Sequence, residues 1–182
     1  MRTEVRLSGF GGQGIVLSGY ILGKAASLFA GKAATMTQSY GPEARGGACT
    51  SNVVIDDERV SYPAVTHPDI LVLMSQEAFH TYRGGFQKGV KVLYDKDLVK
   101  LEEGLQGEHI PVPASQVADQ LGKKIVANIV MLGFLAAASG VLPKEAVKEA
   151  VASSVPAHTR ELNEKAFERG FEEGLKTRGK GA

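Results

Sequence analysis

Apolar and polar residues along the chain follow two rhythms, one of strands and one of helices. The run Thr3 to Leu7 reads as a first strand. From about Gln13 to Phe29 the apolar positions Ile15, Leu22 and Phe29 recur at helical spacing, with the small residues Ser18, Gly19, Ala25 and Ala26 between them allowing close approach to a sheet. "AATMTQS" (33–39) and "ACTSNVVID" (48–56) are strands rich in Thr and Val, separated by "YGPEARGG", whose glycines and proline punctuate a loop. "DDER" predicts a turn into a short strand near Val60. "DILVLM" (69–74) and "VKVLYD" (90–95) read as buried strands joined by a helix over Gln76 to Tyr82, and "HIPVPA" as one more strand.

The last third is helical: Ala114 to Leu121, then "KIVANIVMLGFLAAAS", then a helix with Pro143 in its first position, then one from Thr159 to about Leu175, before a frayed basic tail "KTRGKGA". The second of these is apolar on nearly every side, which predicts burial. It is too short, and too polar at Asn128, for a membrane span of roughly twenty residues. Strands alternating with helices predict a three-layer α/β sandwich around a mixed, mostly parallel sheet. The Thr/Val pair of strands supplies its antiparallel part. With 182 residues and no linker, residues 1–182 are expected to form a single domain.

Composition narrows the function classes. Hydrophobic residues at 43% and charged residues at 23% are ordinary for a globular protein, and a net charge of +1 gives no polyanion-binding excess, so nucleic acid is not an expected partner. The charged "MRTEVRLSGF" enters a strand directly, without the apolar core of a signal peptide, and predicts a cytoplasmic protein without membrane attachment. Cys49 is the one cysteine, too few for an intrachain disulfide or for the four thiolates of an ordinary iron-sulfur cluster, and its setting predicts a small buried hydrophobe. The histidines at 67, 80, 109 and 158 have no local zinc spacing.

Two loops carry the candidate chemistry. Gly9, Gly11 and Gly14 satisfy G-x-G-x-x-G between a strand and a helix, the context of a dinucleotide site. Yet no Asp or Glu lies between Glu4 and Glu43 to clamp a ribose, and the Lys-Ser/Thr pair of a P-loop is absent. What remains is a glycine nest of Gly9, Gly11, Gly12 and Gly14 whose amides could meet an anionic or carbonyl oxygen, with the Gln13 side chain beside it. The alternative is that these glycines serve only a tight turn and close packing. The second loop sets Tyr40, Glu43 and Arg45 among Gly41, Pro42, Gly46 and Gly47: a planar bidentate donor, a carboxylate and an aromatic on a restricted backbone. A plain Glu43–Arg45 pair on a solvated turn is its bland alternative.

"GFGGQGIVLSGYILGKAA", "QSYGPEARGG", "PDILVLMSQEAF" and "ANIVMLGFLAA", in this order, make residues 3 to 140 resemble the gamma subunit of 2-oxoacid:ferredoxin oxidoreductases, especially the 2-oxoglutarate type. The resemblance implies a subunit that is inactive alone. The complex would decarboxylate a 2-oxoacid on thiamine diphosphate, pass electrons through iron-sulfur clusters to ferredoxin and transfer the acyl group to coenzyme A. It also implies that thiamine diphosphate with its magnesium, and the clusters, sit on thiamine-binding, 2-oxoacid-binding and ferredoxin-like partner chains; the single cysteine and the missing Gly-Asp-Gly start of a thiamine site accord with this.

On this reading the Gly9–Gly14 turn and the Tyr40–Gly47 loop neighbour each other at one end of the sheet and face the partners. They either complete the coenzyme A or acyl pocket, with Arg45 offering charge and the Gly11–Gly14 amides hydrogen bonds, or anchor the interface through Arg45 and Tyr40. No catalytic or metal-ligating residue is assigned. Related complexes act on pyruvate, branched-chain 2-oxoacids or indolepyruvate. Other classes left open are a stand-alone nucleotide or coenzyme A binding module and a scaffold; an apolar patch awaiting partners would make the isolated chain self-associate. Asn128 is expected to tie down nearby backbone, Phe167, Phe171 and Leu175 to form a core or subunit-facing stripe, and the charges from Arg160 to Glu173 a solvated face.

Overall fold

The computed structural model describes residues 1–40 and 47–178. Its centre is β1 (Thr3–Phe10), from which a six-stranded sheet extends in the order β2-β3-β1-β4-β5-β6. β3 (Ala48–Asp56) runs antiparallel to β1, from Thr3↔Ile55 to Phe10↔Ala48, and β2 (Ala33–Tyr40) is antiparallel to β3 at the edge. On the other side β4 (Ile70–Leu73), β5 (Lys91–Asp95) and β6 (Glu108–Val112) are parallel to β1 and to one another. The sheet is therefore mixed and mostly parallel, with the Thr-rich strands forming its antiparallel part.

Alternation along the strands splits the core in two. Val5 and Leu7 with Val53, Ile55, Val72 and Leu93 face one layer of helices: α1 (Ile15–Lys24), α3 (Ala114–Gln120), α4 (Ala127–Ser139), α5 (Lys144–Ala152) and α6 (Arg160–Arg178). Leu71, Leu73 and Val92 face the other way, against α2 (Gln76–Tyr82) and Phe86. α2 starts where Ser75 Oγ accepts from Ala78 N at 3.1 Å, an ordinary N-cap. Every residue of α4 except Ser139 is buried, because α6 covers the side turned away from the sheet. Among the described residues no helix is long and apolar enough to cross a membrane.

Several local expectations need correction. The predicted strand near Val60 is absent: residues 57–69 form an irregular strap across the polar face of β1. Its backbone is held by side chains instead of a ladder, Arg2 donating to the carbonyls of Tyr62 (2.8 Å) and Ala64 (3.1 Å), and Arg6 to that of Val65 (2.7 Å). Arg6 also lies 4.8 Å from the Tyr82 ring centroid. The helix predicted over Gln13 to Phe29 begins at Ile15, and its last five residues, Ala25–Phe29, form a π turn. That wider turn carries Phe29 off the buried stripe of Ile15 and Leu22, leaving it half exposed. Pro143 stands just before α5 with extended ψ of 141°, one position earlier than expected. Residues 124–126 make a 3-10 turn leading into α4, a similar turn over 157–159 leads into α6, and α6 runs through Arg178, past the expected end at Leu175.

Candidate functional site

β1 leads into α1, whose chain returns to the left side of the sheet, while β4 leads into α2 and on to β5 at the right. The neighbouring parallel strands β1 and β4 thus send their chains apart, and such a divergence leaves a crevice at the carboxyl ends of the strands. The glycine turn sits there. Gln13 N closes it on Phe10 O at 3.2 Å. The Gln13 side chain then bridges the two strand ends: Oε1 accepts from Phe10 N at 2.7 Å and Nε2 donates to Met74 O at 2.8 Å. Gly14 adopts a left-handed conformation at the start of α1, with φ of 73°. Its carbonyl accepts from Ser18 N (2.9 Å), Ser18 Oγ (3.0 Å) and, from α4, Asn128 Nδ2 (3.3 Å).

The expectation for Asn128 is met, since the amide of a nearly buried residue ties down the turn's own backbone. The expectation for the turn is narrowed. Gly11 N donates to Gly47 O at 3.1 Å and Gln13 N to Phe10 O, so among the described residues the amides of Gly12 and Gly14 are the ones of the turn left as donors to a ligand. Gln13 is a strap within the protein before it is anything else.

The Gly11–Gly47 bond brings the far flank of the second loop onto the glycine turn, as the sequence led one to expect. Tyr40 pairs with Cys49, which in turn pairs with Gly9, placing Tyr40 two strands away from the turn, ~10 Å across the sheet, and mostly exposed. Gly41, Pro42, Glu43, Arg45 and Gly46 lie outside the described residues. Cys49 is buried, and burial pushes its thiol up, away from the reactive thiolate.

Beside the turn opens a cleft of about 560 Å³. Gly12, Gln13 and Met74 form one wall; the segment after β5 (Asp97, Leu98) and the α3 region (Ser115, Asp119) form the others, with Lys124, Ile125 and Ala127 closing the end. Asp95 builds the second wall. Wholly buried at the end of β5, it accepts from Asp97 N (3.0 Å) through Oδ1 and from Ser115 N (2.9 Å) and Ser115 Oγ (2.7 Å) through Oδ2, fixing the β5 loop to the first turn of α3. Two carboxylates against one ammonium make the cleft a poor seat for an anion on its own. Met74, Leu98, Ile125 and Ala127 make it apolar, and Ile125 is 74% exposed on the rim. Among the described residues no three His, Cys, Asp or Glu side chains gather as a metal ion would need.

Sequence reading missed Asp97, Leu98, Ser115, Asp119, Lys124 and Ile125. Their common signal was positional: they follow the carboxyl ends of β5 and β6, where crevices of open parallel sheets are lined, but none belongs to a motif.

The family model "Pyruvate ferredoxin/flavodoxin oxidoreductase" matches residues 4–173. The chain is 48% identical to the "2-oxoglutarate synthase subunit KorC" of Methanocaldococcus jannaschii, over 94% of both chains, and 47% identical to the KorC subunit of Methanothermobacter marburgensis, over 94% of this chain and 96% of that one. The gamma subunit of a keto/oxoacid ferredoxin oxidoreductase from Geobacter sulfurreducens, a solved structure 42% identical in sequence, superposes with a TM-score of 0.85 over 96% of this chain and 99% of that one. This chain belongs to the pyruvate ferredoxin/flavodoxin oxidoreductase family.

Proposed function

We infer that this chain is the gamma subunit of a multisubunit 2-oxoglutarate:ferredoxin oxidoreductase, which converts 2-oxoglutarate and coenzyme A to succinyl-CoA and carbon dioxide while ferredoxin takes up two electrons. The relatives named 2-oxoglutarate synthase subunits, similar over nearly their whole length, support the substrate. Thiamine diphosphate, its magnesium and the iron-sulfur clusters belong on partner chains, where they supply the decarboxylation and the electron path. An ordinary cluster takes four thiolates, and Cys49 is the single cysteine here.

One observation carries the site reading: the cleft at the carboxyl ends of β1 and β4 is one-sided. Its floor is rigid, fixed by Gln13 and Asp95, while its rim leaves Ile125 and Leu98 exposed to whatever covers it. A partner subunit laid over that rim closes a pocket. The apolar wall and the excess of carboxylate suit the uncharged pantetheine arm and acyl thioester of the co-substrate, not its phosphates. Charge for the phosphates falls to Arg45, two positions before Gly47 in the sequence, or to the partners. This chain's residues then bind and orient, and they exclude water from the thioester; they transfer no proton or electron.

Kinetics of the assembled complex test this. Ile125→Glu and Leu98→Glu are expected to raise KM for coenzyme A at least tenfold, a change worth about 1.4 kcal/mol of binding, and leave KM for 2-oxoglutarate within twofold. Equal effects on both substrates, or none on an intact complex, would remove the cleft from the coenzyme A site.

A further inference from the structure

Among the described residues the left edge of the sheet is unprotected. β2 has eight residues and pairs with β3 in unbroken register from Ala33↔Asp56 to Tyr40↔Cys49, with no strand on its other side among the described residues. Soluble proteins blunt such edges with lysine, proline, a bulge or a covering element. "AATMTQSY" has no charge, no proline and no bulge, and its last four residues are exposed. An edge of this kind is a template for another strand.

Its side chains indicate which strand fits. Ala34 and Met36 pack towards the α1 side, so Gln38 and Tyr40 share that face and Thr35, Thr37 and Ser39 the other. In a two-fold antiparallel pair, opposed residues lie on the same face, so the axis must pass through a residue. Centred on Thr37, it opposes Thr37 to Thr37 and Thr35 to Ser39; centred on Met36, it opposes Thr35 to Thr37. Either register sets hydroxyl against hydroxyl, a favourable cross-strand pairing, and never like charge against like charge.

The surroundings carry little charge. Between Arg6 and Glu43 the only charged residues are Lys24 and Lys32. Lys24 donates to Ser153 O at 3.0 Å and Lys32 is paired with Asp57. A copy of the same surface therefore meets one charge of its own sign, Lys24, whose ammonium rests on the neutral oxygens of Ser153 and Ser154, and a foreign partner chosen by charge finds little else to read. Along the edge lies a shallow groove of about 270 Å³ whose lining includes Tyr20, Lys24, Leu28, Ala34 and Met36, in which Tyr20 is 52% and Leu28 68% exposed. This is apolar surface that pairing at the edge would bury.

We propose that β2 is a homotypic interface: a second copy of this chain adds its own β2 antiparallel across a two-fold axis, joining two six-stranded sheets into one and burying Tyr20 and Leu28 beside the junction. This goes beyond the subunit reading and needs no partner chain for its test.

The full chain is purified alone and its mass followed by sedimentation across a dilution series. The wild type is expected at about twice 19.3 kDa, and Thr37→Lys and Leu28→Glu at the single mass, with self-association at least tenfold weaker. Circular dichroism melts establish that these variants fold. If Thr37→Lys does not fold, the double variant Thr35→Cys/Thr37→Cys decides. Opposed Cα atoms in antiparallel strands lie about 4.5–5.5 Å apart, within disulfide reach, so either register is expected to give a covalent dimer on oxidation. A wild type monomeric at every concentration, a folded Thr37→Lys that remains dimeric, or a dimer that the paired cysteines do not link would overturn the proposal. The subunit reading would survive any of these results.

Discussion

Asn128, on the central helix α4, holds the glycine turn through a bond from its Nδ2 to Gly14 O, and stands where a side chain on Gly14 would have to go. A Cβ at residue 14 would lie against the Asn128 amide, and it would also have to adopt a φ of 73°. Gly14→Ala is therefore expected to cost about 3 kcal/mol and Asn128→Ala about 1 kcal/mol. The double variant should cost less than the sum, since removing Asn128 makes room for the new methyl and leaves only the backbone strain. Urea denaturation of the four proteins in the cycle measures this coupling; strict additivity would show that the two residues do not oppose each other.

Gln13 uses both ends of its amide, one on each of two parallel strands. Gln13→Glu keeps an acceptor for Phe10 N but turns an oxygen towards Met74 O. It is expected to be no better than Gln13→Ala, each losing about 2 kcal/mol in chemical denaturation. A Glu variant as stable as wild type would mean that the Nε2 bond contributes nothing.

Most of the strand order of events was legible because the runs at 33–39, 48–56, 69–74 and 90–95 are apolar or β-branched and bounded by Gly, Pro and Asp. The π turn was not, since Ile15, Leu22 and Phe29 keep a perfect helical spacing and only tertiary packing widens the last turn. Nor was the strap at 57–69, whose shape depends on arginines about sixty positions away. The site was legible on its glycine side, where backbone demands leave a mark in residue type. Its far wall, from Asp97 to Ile125, is set by where β5 and β6 end in space, which no local pattern reports.

The same limit hid the packing of the last helix. A Cβ on Gly170 would strike the backbone carbonyl of Val130, a rigid neighbour on α4. Gly170→Ala, which would raise intrinsic helix propensity, is instead expected to destabilise by about 2 kcal/mol. Gly23, in α1, has open space within 4 Å of where a Cβ would stand, and Gly23→Ala should stabilise by about 1 kcal/mol. Thermal melts compare the two; a Gly170→Ala variant that melts no lower than wild type would contradict the close α4–α6 approach.

Acid should loosen the strap over β1 through Glu4. Burial works against ionisation of its carboxyl, but Arg2 (2.8 and 3.0 Å) and the amides of His67 (3.1 Å) and Thr66 (2.9 Å) outweigh it and hold the pKa below the usual value of 4.5. A carboxylate lowered on folding contributes stability that is present above 4.5 and disappears as the pH falls through the folded value. Glu4→Gln is expected to be less stable than wild type at neutral pH, with the gap closing in acid below 4.5. A gap independent of pH, read from urea midpoints, would mean that the carboxylate charge is not what holds the strap.

The most direct test of the central claim is to recover the tagged chain from its native source without oxygen, identify what accompanies it, and assay coenzyme A-dependent oxidation of 2-oxoacids with a low-potential electron acceptor. Thiamine-binding and iron-sulfur chains recovered with it, and 2-oxoglutarate preferred over pyruvate and branched-chain acids, are the expected result. A chain recovered alone and inactive, under conditions that keep related complexes intact, would contradict it.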